Sequence, residues 1–470
     1  MKQQVEIKAH AIMITLPYQG HLNPFVDLAM QLASKGITVT FVHTQHAHHL
    51  ITTSRHTPTS DIFSAAPHLD IRYATISDGF PLDFDRDLNW VDYWESLIRD
   101  FPSRVSDLVG DIISSSDPSL PPFLVADTFA AWPAMVAQKY NLLNVSFWTQ
   151  PATEFAIDYH LHLLKQNGHY PPNKDDDEHV INYIPGVAPI STKDLMSHLQ
   201  EADPTIAHEI VFRAFKEVVK ADFILHNTVQ ELEPHTLSVL SQKQATYAIG
   251  PINFSTKTKT SVPIPKSLRH QVDCSKWLDA RPRRSVLYIS FGSIAQTNRE
   301  VIQEIAHGLV VSGVSFIWVI RPQIVIDDGT DVLPAGFDED VKDRGLVVPW
   351  CDQLAVLSSP AVGGFLTHCG WNSILESVWC GVPMICYPIL YDQPTNRKLV
   401  VDDWKIGINL CNGESVCREE VAEKIKKVMS GEASDANLKE IRSKLHDAWS
   451  EDGSSHTNFD RFLKDLNHKI

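Results

Sequence analysis

Short apolar runs, each ending at small or polar residues and followed by a helical pattern, recur along this chain, and that alternation constrains the fold more than any other feature. Ile12-Met13-Ile14-Thr15-Leu16 reads as a strand, about Asn23 to Ser34 as a helix stopped by Gly36, and Ile37 to Val42 as the next strand. A strand, a crossover helix and a second strand imply a parallel sheet. Phe123 to Ala126, Val145 to Thr149, Phe223 to Leu225 and Thr246 to Ile249 continue the series. Asn253 to His270 is rich in Ser, Thr, Lys and Pro and has no apolar period, so it reads as a linker. The alternation then restarts with Val286 to Phe291, a helix Arg299 to Val311 and a strand Phe316 to Ile320. Since 470 residues exceed one ordinary core, two or three domains are expected, read as two large halves built on parallel sheets.

Open parallel sheets bind ligands beyond the carboxyl ends of their strands, so strand exits are the places to look for chemistry. Trp350 to Gln393 carries three binding devices in one stretch. Trp350 follows the apolar run Leu346-Val347-Val348, where a ring can stack on a base. Val362 to Thr367 is a second strand, ending at His368 and the turn Cys369-Gly370-Trp371. A helix beginning near Asn372 gathers unpaired N–H groups and the positive end of its dipole, which hold phosphate without lysine, and Ser373 adds a hydroxyl. Glu376, one turn on, suits the two hydroxyls of a ribose. Asp392-Gln393 closes the stretch with groups suited to a polyol. Base, phosphate, ribose and polyol in that order describe a sugar nucleotide.

The stretch resembles the signature box of plant family 1 glycosyltransferases, enzymes that use a uridine diphosphate (UDP) sugar. HCGWNS, the Glu of ILES and the terminal Asp-Gln stand in the family's order and spacing. One departure is Cys351-Asp352, where the family often has Ala-Pro, whereas Gln353 is kept. The resemblance implies two facing Rossmann-like doubly wound domains (GT-B type): an acceptor domain over 1–250, a linker over 251–270, a UDP-sugar domain over 271–450, and a C-terminal helix, 451–470, packing back on the first domain. It implies donor contacts at Ser293, Trp350, Cys351, Gln353, His368, Trp371, Asn372, Ser373, Glu376, Asp392 and Gln393, with Thr149 touching the sugar. Glutamine at 393 is typical of glucose users, so UDP-glucose is the expected donor.

QGHLNP matches the family's catalytic histidine loop, which makes His21 the implied general base and Asp127 its orienting carboxylate. Adjacent parallel strands would bring these two exits to one edge. Trp90, Trp94, Phe129, Phe147 and Trp148 cluster near strand exits and helix starts and are expected to line an acceptor pocket, several of them doubling as core. From Trp90 to Ile112 the apolar spacing is helical, with Pro102 expected to kink or split the helix. The acceptor expected is a small lipophilic alcohol, phenol or acid, terpenoid or flavonoid in kind.

Composition and charge exclude several other classes. A net charge of −16 argues against nucleic acid held by a basic field. No run of about 18 apolar residues suggests a membrane span, and the N-terminus lacks a secretory core. The 7 cysteines, an odd number, read as reduced thiols of a cytoplasmic protein. Asp175-Asp176-Asp177-Glu178 resembles the acidic cluster of metal-dependent transferases, but no strand leads into it, and no metal or other cofactor is expected. The chain is expected to act as a monomer. A nucleotide-dependent oxidoreductase would need a Gly-x-Gly-x-x-Gly turn after a strand, which is absent. A non-catalytic metabolite-binding homologue would have no use for His21 and Asp127.

Overall fold

The structure, a computed structural model, describes residues 7–54, 61–172, 179–255, 264–325, 332–411, 415–431 and 435–470. The acidic run at 175–178 lies outside them. Two compact units are present, the first made of Met1–Ile190, His198–Arg269 and Asp447–Ile470, the second of Ser191–Ser197 and His270–His446.

The strands in chain order are β1 His10–Ile14, β2 Thr38–Thr44, β3 Ile71–Ile76, β4 Pro122–Asp127, β5 Leu143–Trp148, β6 Val180–Ile181, β7 Ile190–Ser191, β8 Phe223–His226, β9 Thr246–Ala248, β10 Val286–Ser290, β11 Ser315–Val319, β12 Gly345–Val348, β13 Val362–Thr367, β14 Met384–Cys386 and β15 Gly407–Asn409. The first unit's sheet runs β3-β2-β1-β4-β5-β8-β9 and the second's β12-β11-β10-β13-β14-β15, both parallel, while β6 and β7 form a separate ladder. Each large sheet reverses winding direction once, between β1 and β4 and between β10 and β13. That reversal leaves a crevice at the strand ends, because successive crossovers depart to opposite sides.

Period-two burial explains why the strands read as continuous apolar runs. Ala11 and Met13 face a core built with Phe25, Phe41, Phe123 and Phe147, whereas Ile12 and Ile14 face another with Trp94, Val105, Leu124 and Val136. The first core is closed by the helix Ser454–Lys469, whose Phe459, Phe462, Leu463 and Leu466 are buried in it. Residues expected to be linker also join this unit. Ile264 and Leu268 pack against the same core, Lys266 Nζ bonds both oxygens of the buried Asp27 (2.9 and 2.7 Å), and Gln19 bonds Lys266 O and Leu268 N.

Several local expectations are corrected. The first helix is Gln19–Ser34, four residues longer at its start than the pattern suggested. Tyr18 O accepts from His21 N and Leu22 N (3.0 and 2.8 Å), so the turn forms ahead of Pro24, and what read as a loop is the helix's opening turn. The Trp90–Ile112 pattern divides into helices Trp90–Arg99 and Phe101–Ser115, with Pro102 in the first turn of the second. The run before Trp350 is a half-buried edge strand rather than a buried one. The helix after Gln393 ends in a π turn, Leu399–Asp403.

Candidate active site

In the first unit, Ile14 of β1 pairs with Ala126 of β4, so the chain beyond each strand emerges at the sheet's switch point. There His21 Nδ1 meets Asp127 Oδ2 at 2.7 Å. Asp127 is 2% exposed, and its other oxygen accepts from Phe129 N at 3.0 Å, which fixes the carboxylate plane. A buried carboxylate on Nδ1 holds the proton on that nitrogen and leaves Nε2 as the basic site. Thr149, expected at the sugar, places its hydroxyl 3.3 Å from the same Nδ1. The imidazole stands 5.9 Å from the Phe129 ring and 6.5 Å from Tyr18, measured between centroids.

Tyr18 was not singled out in the sequence, although its position between β1 and His21 was a signal. It stacks on Trp94 (5.8 Å, 12°) and lies 6.0 Å from Trp90, so Tyr18, Trp90, Trp94 and Phe129 form an aromatic group next to His21. Phe147 and Trp148 belong to the packing instead. Both are 0% exposed, Phe147 against Phe25 and Trp148 with its indole N–H donated to Pro151 O at 2.8 Å.

The second unit repeats the arrangement. Ser290 of β10 pairs with Thr367 of β13, so Gly292-Ser293 and His368 leave the sheet side by side. His368 is closely confined: a Cβ at Gly292 would stand 2.4 Å, and one at Gly370 2.5 Å, from its Nε2. Gly292 also has φ +71°, a backbone shape that glycine supplies at little cost. Burial lowers the His368 pKa to about 4 despite a backbone hydrogen bond at Ser290, and the Arg321 guanidinium lowers it further. At neutral pH the ring is therefore a neutral hydrogen-bonding group and not a cation. Positive charge nearby comes from Arg321, which the sequence reading overlooked at the exit of β11. It is 3% exposed, and it donates to Gly292 O at 3.1 Å and to Ala295 O, bracing the turn that carries Ser293.

The helix Trp371–Cys380 begins one residue before the expected start, and Gly370 at its N-cap supplies no side-chain cap. The positive end of the helix dipole lies at this start. Trp371 is 3% exposed, its ring 6.1 Å from that of Trp404. Gln353 Nε2 bonds Ser373 Oγ at 2.9 Å and Glu376 Oε2 at 2.8 Å, joining three of the expected donor residues into one cluster beside Asn372. Trp350 is half-buried two residues beyond β12, and its carbonyl accepts from Val272 N at 2.9 Å. The Cys351 thiol is buried 3.7 Å from Tyr288 Oη; its hydrogen bond with Cys274, together with burial, pushes its pKa up, so it is no nucleophile. Asp392 and Gln393 are 6% and 4% exposed, and Gln393 Oε1 accepts from Ile389 N and Leu390 N, both at 2.8 Å.

The first unit thus carries a histidine oriented by a buried carboxylate at its switch point, and the second gathers Gln353, Ser373 and Glu376 beside a helix start at its own. The family described as UDP-glucoronosyl and UDP-glucosyl transferase matches residues 213–450. UDP-glycosyltransferase 86A1 of Arabidopsis thaliana is 51% identical, covering 100% of this chain and 97% of its own length. The chain belongs to the plant family 1 UDP-glycosyltransferases.

The fold agrees. Os79 from O. sativa in complex with UDP matches with a TM-score of 0.80 at 26% identity, covering 97% of this chain and 99% of that one. Phytolacca americana UGT2 complexed with UDP-2fluoro-glucose and pterostilbene matches with 0.77, also at 26% and with the same coverage. The protein is thus a GT-B enzyme of an inverting, metal-independent family. Among the described residues no group of three or more His, Cys, Asp or Glu is placed to hold a metal, and no helix is long and apolar enough to cross a membrane.

Proposed function

We propose that this UDP-glycosyltransferase moves glucose from UDP-glucose to a hydroxyl or carboxyl of a small lipophilic metabolite, with inversion. His21 Nε2 takes the acceptor proton while the acceptor oxygen attacks the anomeric carbon, and UDP leaves from the opposite face. Asp127 orients the imidazole and stabilises the imidazolium that forms. On the donor side, Trp350 would meet the base, Gln353 and Glu376 the ribose, and the start of the helix Trp371–Cys380 with Ser293 and His368 the diphosphate. Asp392 and Gln393 would meet the sugar hydroxyls.

The observation that carries this reading is the 2.7 Å contact of His21 with a buried Asp127 beside the Tyr18, Trp90, Trp94 and Phe129 rings. These rings offer apolar area, worth about 25 cal/mol per Å² buried, and no positive charge to draw a polar or anionic acceptor. Phytolacca americana UGT2 is complexed with pterostilbene, a molecule of that lipophilic, hydroxylated kind. A mass-spectrometric screen of terpenoid and phenolic alcohols with competing UDP-glucose, UDP-galactose and UDP-xylose tests the assignment. Transfer of mainly galactose, or acceptance only of free sugars or peptides, would overturn it. Trp94→Ala should raise the acceptor KM by much more than the donor KM, whereas equal changes would mean that the ring only packs.

A further inference from the structure

We propose that Asn396 is a positioning residue for donor-sugar recognition, tying the carboxylate that reads the sugar to the turn that holds the diphosphate. The proposal rests on the assignment of Asp392 to the sugar made above. Asn396 lies on the helix Gln393–Lys398 and is 0% exposed. Its amide nitrogen donates to Cys369 O at 2.9 Å and to Asp392 Oδ2 at 2.6 Å. A primary amide has two N–H donors, so one side chain bridges two acceptors from different parts of the donor site.

Three features separate this arrangement from ordinary packing. Asp392 stands at the N-cap of its helix, where an aspartate usually accepts from the helix's own first N–H groups, yet it makes no such bond. Cys369, the other acceptor, has φ +68° and directly precedes the N-cap of the phosphate-facing helix, so its carbonyl direction sets the attitude of that turn. The Asp392 backbone, moreover, is held without the Asn396 side chain. Gln393 Oε1 takes two loop N–H groups, Tyr391 N donates to Ser197 Oγ at 2.8 Å, and Thr395 Oγ1 donates to Asp194 O at 2.7 Å. Loss of Asn396 therefore removes one hold on the Asp392 side chain and leaves its loop in place. Aspartate at 396 would keep the shape, remove both donors and set a second carboxylate against the first.

The test uses the full-length enzyme with Asn396→Ala, Asn396→Asp, Asp392→Ala and the double variant Asp392→Ala/Asn396→Ala. Tryptophan fluorescence gives UDP affinity, and initial rates give the UDP-glucose KM and the ratio of glucose to galactose transfer. Asn396→Ala should raise the UDP-glucose KM by roughly tenfold, the usual worth of a hydrogen bond to a charged group, and should lower sugar discrimination. UDP affinity should fall by less than the UDP-glucose KM rises, since only one of the two bonds reaches the diphosphate turn, and an unchanged melting temperature reports an intact fold. Asn396→Asp should be worse near neutral pH and improve as the pH falls, because a shared proton restores one donor. The double variant should be no worse than Asp392→Ala alone. Additive losses, or an Asn396→Ala enzyme with unchanged KM and discrimination beside an impaired Asp392→Ala, would overturn the proposal. If Asp392→Ala itself keeps full discrimination, the sugar assignment is what fails, and the proposal falls with it.

Discussion

Replacing Gly370 by alanine isolates one demand of the donor site, because that residue has φ −63° and ψ 139°, a backbone shape alanine adopts without strain. Space is the remaining cost. The new Cβ would stand 2.5 Å from His368 Nε2, 3.0 Å from Cε1 and 3.4 Å from Cδ2. Non-bonded heavy atoms prefer about 3.5 Å or more, so the ring or the helix start must yield by about 1 Å. The Gly292 backbone lies on the same nitrogen, where an added Cβ would stand only 2.4 Å away, so the ring has little room to retreat. Overpacking of this kind costs about 1–3 kcal/mol of folding stability. Gly370→Ala should therefore lower the melting temperature and, by displacing His368 or the helix start, weaken UDP binding, read by quenching of tryptophan fluorescence. In a His368→Ala background the clash partner is gone, and the further change should be within about twofold. Wild-type UDP affinity and wild-type melting in the single variant would refute the close approach; so would an undiminished loss in the double variant.

His21→Ala should lower turnover by roughly 100-fold or more while UDP still binds, and near-parental rates on a weakly acidic alcohol would exclude His21 as base. EDTA should leave activity unchanged in this enzyme of a metal-independent family; a strict Mg²⁺ or Mn²⁺ requirement would contradict that. Acid should destabilise the fold partly through His226, which is fully buried, with burial lowering its pKa to about 3. Its neutral form fits the fold, so its contribution is complete above the ordinary histidine value of 6.5 and shrinks as the pH falls towards 3, at about 1.4 kcal/mol per pH unit. His226→Leu should accordingly flatten the drop in urea midpoint between about pH 7.5 and about 5.5, and an equal or steeper drop would remove His226 from the account.

Strands buried on both faces were plain in the sequence because Ile12-Met13-Ile14 and Leu287-Tyr288-Ile289 leave no polar position to interrupt the run. The expectation that strand pairing brings the exits carrying His21 and Asp127 to one edge agrees with the pairing of β1 with β4, and in the other unit the pairing of β10 with β13 brings the exits of Ser293 and His368 together. The edge strand β3 was not legible: it is half-buried, and Arg72 interrupts its apolar character. Aromatic residues at the end of β5 were ambiguous for a different reason. A central strand is covered on both sides, so Phe147 and Trp148 meet protein wherever they point. Arg321 and Asn396 escaped notice because each acts on backbone carbonyls more than 25 residues away in sequence, a relation without local periodicity.

The helix Ser454–Lys469 gives the chain an unusual order of assembly. Proteins made on the ribosome commonly fold their first-synthesised portion first. Here the earlier unit lacks part of its interior until Phe459, Phe462, Leu463 and Leu466 have emerged to meet Phe223 and Tyr247. The intervening unit, by contrast, has its whole sheet available once β15 has been made. Nascent chains halted before residue 454 should therefore expose an apolar face to proteases and chaperones on the older half while the younger half is already protected.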